Sequence, residues 1–235
     1  MKRGATICDD NIIQSNQPQQ QVTNSVIVSF SMGKDSIVAL DFAFKHFKHV
    51  YPFFMYLVPG LAFQERDLKI YEQQYNTKIL RVPHFEDSEF YRYGSFREPD
   101  ETVPIVKIND IYNEIRSQTD AYWIMGGEKI ADSIVRRPML KRSGCIDDGR
   151  GHFYPLIDWR KRDVLQYIKL NKLYLPRFQC ELGFSFHSLA GKELSVIKRI
   201  YPDDYQRILQ FFPEAEAGVI QYEYNPNYQT RRDQG

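Results

Sequence analysis

A three-layer α/β fold is what this sequence predicts: a parallel sheet with helices on both faces, followed by a mainly helical C-terminal part. Three observations predict it. Val26, Ile27, Val28 and Phe30 form a short β-branched and aromatic run of the kind a strand buried on both faces requires. Apolar runs of this kind then alternate with apolar residues at helical spacing, and parallel neighbouring strands need such helical crossovers to bring the chain back to the same edge. Between the first strand and the first helix stands a short polar turn, Ser31-Met32-Gly33-Lys34-Asp35-Ser36.

The elements follow in order. Ile37, Leu40, Phe44 and Phe47 make one apolar face of a helix ending near Lys48 and His49. Residues 51–58 read as a second strand, Leu68, Tyr71 and Tyr75 as the face of a second helix, and residues 78–82, closed by Pro83, as a third strand. Residues 84–104, with Glu86-Asp87, Gly94, Pro99 and Pro104, read as a long irregular loop, either a lid near a site or a plain surface insertion. A helix over 108–116 precedes a strand at Tyr122-Trp123-Ile124-Met125. Val164, Leu165 and Ile168, then Leu194, Ile197 and Ile200, then Tyr205, Ile208, Leu209 and Phe212 mark three later helices. The polar N-terminal segment, rich in Gln and Asn, predicts a flexible tail over 1–23, one domain over 24–213 and a C-terminal extension over 214–235.

Composition narrows the class. The chain has 235 residues with 31 Lys plus Arg against 30 Asp plus Glu, a balance that excludes nucleic-acid binding by overall charge and leaves only local basic patches. No apolar run reaches the roughly 18 residues needed to span a bilayer, so no membrane association is expected. The three cysteines, Cys8, Cys145 and Cys180, are odd in number and widely spaced, which suits a reducing cytoplasm better than a disulfide framework.

The polar turn carries the chemistry. Where a buried strand gives way to a helix, backbone N–H groups converge and the helix end adds about half a positive charge, so anionic oxygens are attracted there. Gly33 lets the backbone come close; Ser29, Ser31 and Ser36 offer hydroxyls, Met32 and Gly33 amides, and Lys34 an ammonium. Asp35 either caps the helix or helps to hold a magnesium ion. Only two residues separate Ser31 from Lys34, too few for a Walker-type loop.

This turn resembles the Ser-x-Gly-x-Asp-Ser signature of the PP-loop superfamily. Residues 126–137, Gly-Gly-Glu-Lys-Ile-Ala-Asp-Ser-Ile-Val-Arg-Arg, are similar to the Gly-x-Arg-x-x-Glu-Ser-x-x-Arg segment of phosphoadenosine phosphosulfate (PAPS) reductases. Residues 154–168 and Leu175-Pro176 resemble that family's Pro-Leu-x-Asp-Trp, Asp-Val-x-x-Tyr-Ile and Leu-Pro run, so the likeness spans 25–213.

The resemblance implies an adenine nucleotide alpha hydrolase-like sheet with ATP or PAPS at the carboxyl ends of its strands. It places the phosphates or sulfate on Ser29, Ser31, Met32, Gly33, Lys34, Asp35 and Ser36, and adenine beside Met55 and Tyr56, whose other reading is as core residues. Gly126 and Gly127 join the site, and Arg136 and Arg137 neutralise the oxyanion or else form a solvated helix face. Lys34, Asp35 and Arg136 are the catalytic candidates, and magnesium, by way of Asp35, is the expected metal. The basic run Lys141-Arg142 either guides an acidic substrate or covers a loop.

The chain also departs from that family. It ends Tyr228-Gln229-Thr230-Arg231-Arg232-Asp233-Gln234-Gly235, without the reductases' cysteine tail, and Gly183-Phe184-Ser185-Phe186-His187-Ser188 stands where iron–sulfur-bearing relatives place paired cysteines, so no iron–sulfur cluster is expected. Cys180 is either a nucleophile or a buried structural thiol, and Cys145 with His152 falls short of a metal-ligand set. The leading function is an ATP pyrophosphatase that adenylates an unknown acceptor, with nucleic acid or a sulfur carrier within the family's range. Sulfonucleotide reduction is the second reading, and a catalytically silent nucleotide-binding module acting through a partner protein the third. A homodimer is one assembly compatible with the sequence.

Overall fold

The structure, a computed structural model, describes residues 23–132, 134–135 and 137–224. Most of the expected N-terminal tail, the end of the C-terminal extension and Arg136 lie outside the described residues. The chain divides into two compact units, one of Met1–Phe54, Thr77–Leu80 and Tyr112–Leu175, the other of Met55–Asn76, Arg81–Ile111 and Pro176–Gly235.

The elements in chain order are β1 (Ser25–Ser29), α1 (Lys34–His46), β2 (His49–Tyr56), α2 (Ala62–Tyr75), β3 (Leu80–Pro83), α3 (Phe85–Tyr93), α4 (Ile108–Thr119) and β4 (Ile124–Met125). There follow α5 (Arg137–Ser143), β5 (Ile146–Asp147), β6 (His152–Phe153), α6 (Lys161–Leu170), α7 (Arg177–Leu182), α8 (Gly191–Ile200), α9 (Pro202–Phe211) and α10 (Ala215–Tyr224). The six strands form one sheet in the order β3-β2-β1-β4-β6-β5. This is the expected α/β architecture with a largely parallel sheet, and the antiparallel edge pair β5–β6 is an addition to it.

In the first unit β1 is the pivot. It pairs in parallel with β2, Ile27 opposite Tyr51, and with β4, Ile27 opposite Ile124. Val26, Ile27 and Val28 are fully buried, as their unbroken apolar run requires. Helix α1 is more deeply buried than an amphipathic stripe implies: every residue from Ser36 to Ala43 is buried, while Phe44 and Phe47, expected on its apolar face, are only half-buried. A polar staple joins α1 to α6, with Tyr167 donating to Asp41 (2.6 Å) and Lys45 Nζ donating to Tyr167 Oη (2.9 Å) and Asn171 (2.8 Å). Strands β5 and β6 were not foreseen: β4 is as short but lies in the apolar run 122–125, whereas Ile146–Asp147 and His152–Phe153 each pair one apolar with one polar residue.

The second unit is mainly helical around an aromatic-rich core that includes Leu61, Phe63, Phe178, Leu194, Tyr205, Ile208 and Phe212. Helix α10, in the expected extension, belongs to this core through Ala215 and Val219. The N-terminus of α2 is capped from a distance: the Asp204 carboxylate accepts from Ala62 N (2.6 Å) and Phe63 N (3.0 Å). A carboxylate there meets both the orphan amides and the positive end of the helix. The segment 84–104 corrects the expectation of an irregular loop. It contains α3, opened by His84 Nδ1 accepting from Glu86 N (3.3 Å) and closed by Gly94 at φ +72°. No residue of α3 is fully buried, so its apolar positions did not register as a face. Among the described residues no helix is long and apolar enough to cross a membrane.

Candidate functional site

The site of the first unit begins where β1 ends. Phe30 N donates to Phe53 O (2.9 Å), holding the chain against β2 before it turns. The turn places Met32 at φ +57°, a left-handed conformation that costs a non-glycine residue about 1–2 kcal/mol. Gly33 sits at φ −79° and ψ 154°, extended backbone open to any residue. The left-handed conformation of this turn therefore falls on Met32, whose side chain is buried. Helix α1 then opens at Lys34, and the amides of a first helical turn have no intrahelical acceptors.

The serines have unequal roles. Ser36 Oγ accepts from Ser31 N (3.2 Å) and donates to Gly33 O (3.0 Å), so this buried hydroxyl braces the loop rather than offering itself outward. Ser31, exposed, lies with its Oγ 3.2 Å from that of Ser36, and Ser29 ends β1 half-buried.

Charge is concentrated in a web that sequence reasoning missed. Lys129 is buried, and its Nζ lies 2.5 Å from Asp35 Oδ1 and 2.7 Å from Asp132 Oδ2. Both contacts are ion pairs whose angles fall short of regular hydrogen bonds, since Lys129 Nζ and Asp35 Oδ1 make none among the described residues. The other oxygen of Asp35 faces Lys34 Nζ at 3.1 Å. Asp35 therefore does not cap the helix; Gly33 holds that position, with no side-chain cap, and Asp35 lies in the first turn. A signal was present: in the pattern Gly-x-Arg-x-x-Glu-Ser, Lys129 stands in the Arg place and Asp132 in the Glu place, a charge-preserving replacement of both partners.

Gly126 and Gly127 seat the second motif on the first. A Cβ added at Gly127 would lie 2.8 Å from the Asp35 carbonyl carbon and 3.0 Å from Ser36 N, so only glycine permits this approach to the start of α1. Gly126 N donates to Phe153 O (3.0 Å), extending the β4–β6 ladder. Arg137, exposed at the start of α5, donates its Nε–H to Ile130 O (3.4 Å). Lys141 and Arg142 are exposed, and Arg142 lines a 540 Å³ cavity with Val135, Pro138, Met139 and Arg150.

His152 sits between aromatic rings, 5.2 Å from Tyr112 and 5.9 Å from Tyr154. Burial, aided by Arg150 and Arg116, lowers its pKa to about 4, so it is neutral at pH 7.

Met55 and Tyr56 close β2 and belong to the second unit, where both are half-buried rather than core. Tyr56 O accepts from His84 N (2.8 Å). Near them, in α3, Asp87 has one carboxylate oxygen buried without a hydrogen bond among the described residues, and burial raises its pKa to about 6 against the opposing pull of Arg97. Burial and the Asp87 charge in turn raise the pKa of the Tyr56 hydroxyl. Cys180 is exposed, which corrects the reading of a buried structural thiol. The segment 183–188 is tied to Glu193, which accepts from His187 N (3.0 Å), Ser188 N (3.3 Å) and Ser188 Oγ (2.6 Å).

Among the described residues no group of three or more His, Cys, Asp or Glu side chains is placed to hold a metal ion. Asp35, the expected magnesium ligand, has both oxygens against ammonium groups and does not fit that role as it stands.

Comparison with curated proteins finds no significant match. Similar solved structures are the U34-tRNA thiolase NcsA from Methanococcus maripaludis with its [4Fe–4S] cluster (14% identity, 82% of this chain and 72% of that one, TM-score 0.44) and a PAPS reductase from Candida auris in a phosphate complex (17%, 70% and 82%, 0.46). A third is the NH3-dependent NAD synthetase from Campylobacter jejuni (12%, 87% and 88%, 0.48). Likeness this loose carries no chemistry across, and the cluster is the thiolase's own; beside it, the expectation of no iron–sulfur cluster, argued from missing paired cysteines, is withdrawn. Sequence gives the firmer result. Residues 25–180, more than half of the chain, match the phosphoadenosine phosphosulfate reductase domain, and the chain belongs to that family.

Proposed function

We propose that the chain binds an adenine nucleotide at the turn from β1 into α1 and transfers its adenylyl group to an acceptor. The observation that carries this reading is the turn itself: first-turn amides and Lys34 at the end of a central parallel strand, with Gly127 seated against the backbone behind them. In the reaction a nucleophile of the acceptor attacks the α-phosphorus of ATP and the bond to the bridging oxygen breaks. Pyrophosphate leaves with the electron pair, and the acceptor's proton passes to solvent. Lys34 and the amides of residues 32–36 stabilise the charge growing on the leaving group, the step where fixed donors count most. Arg136 and Arg137 are proposed to assist.

Incubation with ATP and the acceptor is expected to yield pyrophosphate and an adenylated product or AMP. Formation of ADP and phosphate alone overturns the reading, and tight binding with no turnover for any acceptor supports a silent module instead. The acceptor is a small molecule, a nucleic acid or a carrier protein, and the mass of the adenylated product identifies which. Lys34→Ala should lower nucleotide affinity by on the order of 10-fold, since it removes one charge-assisted contact.

The exposure of Cys180 favours one second reading, sulfonucleotide reduction. There its thiolate attacks the sulfur of PAPS, adenosine bisphosphate leaves, and an external dithiol such as thioredoxin releases sulfite from the thiosulfonate while being oxidised. Sulfite release that disappears in Cys180→Ser supports this route; no sulfite from the wild type removes it.

A further inference from the structure

The buried ammonium of Lys129 is a conspicuous feature that the proposed chemistry leaves unused. Lysine is almost never fully buried unless paired, because taking its charge out of water is costly. Here the side chain is wholly covered and meets two carboxylates, Asp35 at 2.5 Å and Asp132 at 2.7 Å. The two partners differ. Asp132 is about half exposed, at 47% of its side-chain area, and water can screen it. Asp35 is 22% exposed, with Oδ1 itself buried, and stands in the first turn of α1, where the proposed anion is bound.

A carboxylate in a helical first turn opposes any incoming anion, since it offsets the positive end of the helix at the place where that field is needed. Its repulsion is strongest when it is partly withdrawn from water and lacks a cation. Lys34 faces one oxygen of Asp35, and Lys129, reaching in from the loop after β4, supplies a second cation from behind, which leaves Lys34 to the anion. Gly127, two residues earlier in the same loop, fixes the approach by packing on the backbone of Asp35 and Ser36.

We propose that Lys129 is a positioning residue for anion binding: its buried ammonium neutralises and holds Asp35, so that the first-turn amides and Lys34 act on the anionic oxygens of the ligand. It acts through Asp35 and does not touch the ligand. The inference rests on the nucleotide-binding reading given above.

The experiment measures the affinity of the whole chain for ATP and for inorganic pyrophosphate by calorimetry, with thermal melting of each variant alongside. Lys129→Met should weaken both ligands about 10-fold or more, because Asp35 is then left to Lys34, the ammonium that the phosphates need. Lys129→Arg, which keeps the charge, should retain more affinity than Lys129→Met. Removing both partners in Asp35→Asn/Lys129→Met should restore affinity to within about threefold of Asp35→Asn alone, the signature of coupled residues. A merely structural lysine gives no such rescue.

If Lys129→Met does not fold, the comparison of the double variant with Asp35→Asn decides. Equal affinities support the proposal, and a further loss in the double variant overturns it. A folded Lys129→Met with wild-type affinity also overturns it while leaving the nucleotide reading intact. Failure of the wild-type chain to bind either ligand overturns both.

Discussion

Both units bury charge beside residues expected to meet the ligand, and they treat it in opposite ways. In the first unit every buried charge of the web has a counterion: Asp35 lies between Lys34 and Lys129, and Lys129 between Asp35 and Asp132. In the second, Asp87 is withdrawn from water beside Tyr56 with one oxygen lacking a hydrogen bond among the described residues, and its pKa climbs to about 6. Burial with a cation in contact fixes geometry, whereas burial that the pull of Arg97 does not offset shifts a proton equilibrium. The first arrangement suits a rigid cradle, and the second makes the end of β2 sensitive to pH near neutrality.

The largest test of this contrast lies at the seat of the web. Gly127→Ala places a Cβ within 3.0 Å of the Asp35 and Ser36 backbone, so it should destabilise the protein by about 1–3 kcal/mol in urea unfolding and weaken nucleotide binding as well. Unchanged stability would mean that the loop after β4 is not held against α1. In the second unit, Asp204→Ala removes the acceptor of two α2 amides and should cost about 1–2 kcal/mol, read in the same assay. It should leave pyrophosphate affinity unaltered.

Two smaller effects separate the units by pH. Asp87 holds its proton more tightly when folded, so its contribution to stability is present below pH 3.8 and is lost as pH rises through about 6. Asp87→Asn should therefore stabilise the protein at pH 7.5 by about 1 kcal/mol, allowing for solvent screening of a partly exposed group, and have little effect at pH 4. Equal stabilisation at both pH values would show that burial of the charge is not the cause. His152 has the opposite sign: its depressed pKa contributes stability above pH 6.5 that is lost as pH falls towards about 4. His152→Phe should flatten the decline of stability between those pH values, by up to about 1 kcal/mol on the same allowance. An unchanged slope would return His152 to the role of an ordinary packing residue.

Much of the fold was legible in the sequence, because strands and helices that cover a core must repeat their apolar residues at the period of their geometry. The β1 run, the α1 pattern and the turn at 31–36 could be read for that reason. What escaped lacked an apolar run or period: β5 and β6, each one apolar and one polar residue, and α3, none of whose residues is fully buried.

By itself the sequence determined where the turn proposed to bind an anion stands and which family it resembles, since residue type and local spacing suffice to place a glycine-containing bend between a buried strand and a helix. It did not show that the strained residue is Met32, that Ser36 braces the turn from inside, or that Asp35 answers to Lys129. Those facts arise from contacts between residues distant in the chain, or from backbone angles that only the packed molecule imposes. Charge and proton affinity depend on what lies within a few ångströms in space, and tertiary structure alone decides that.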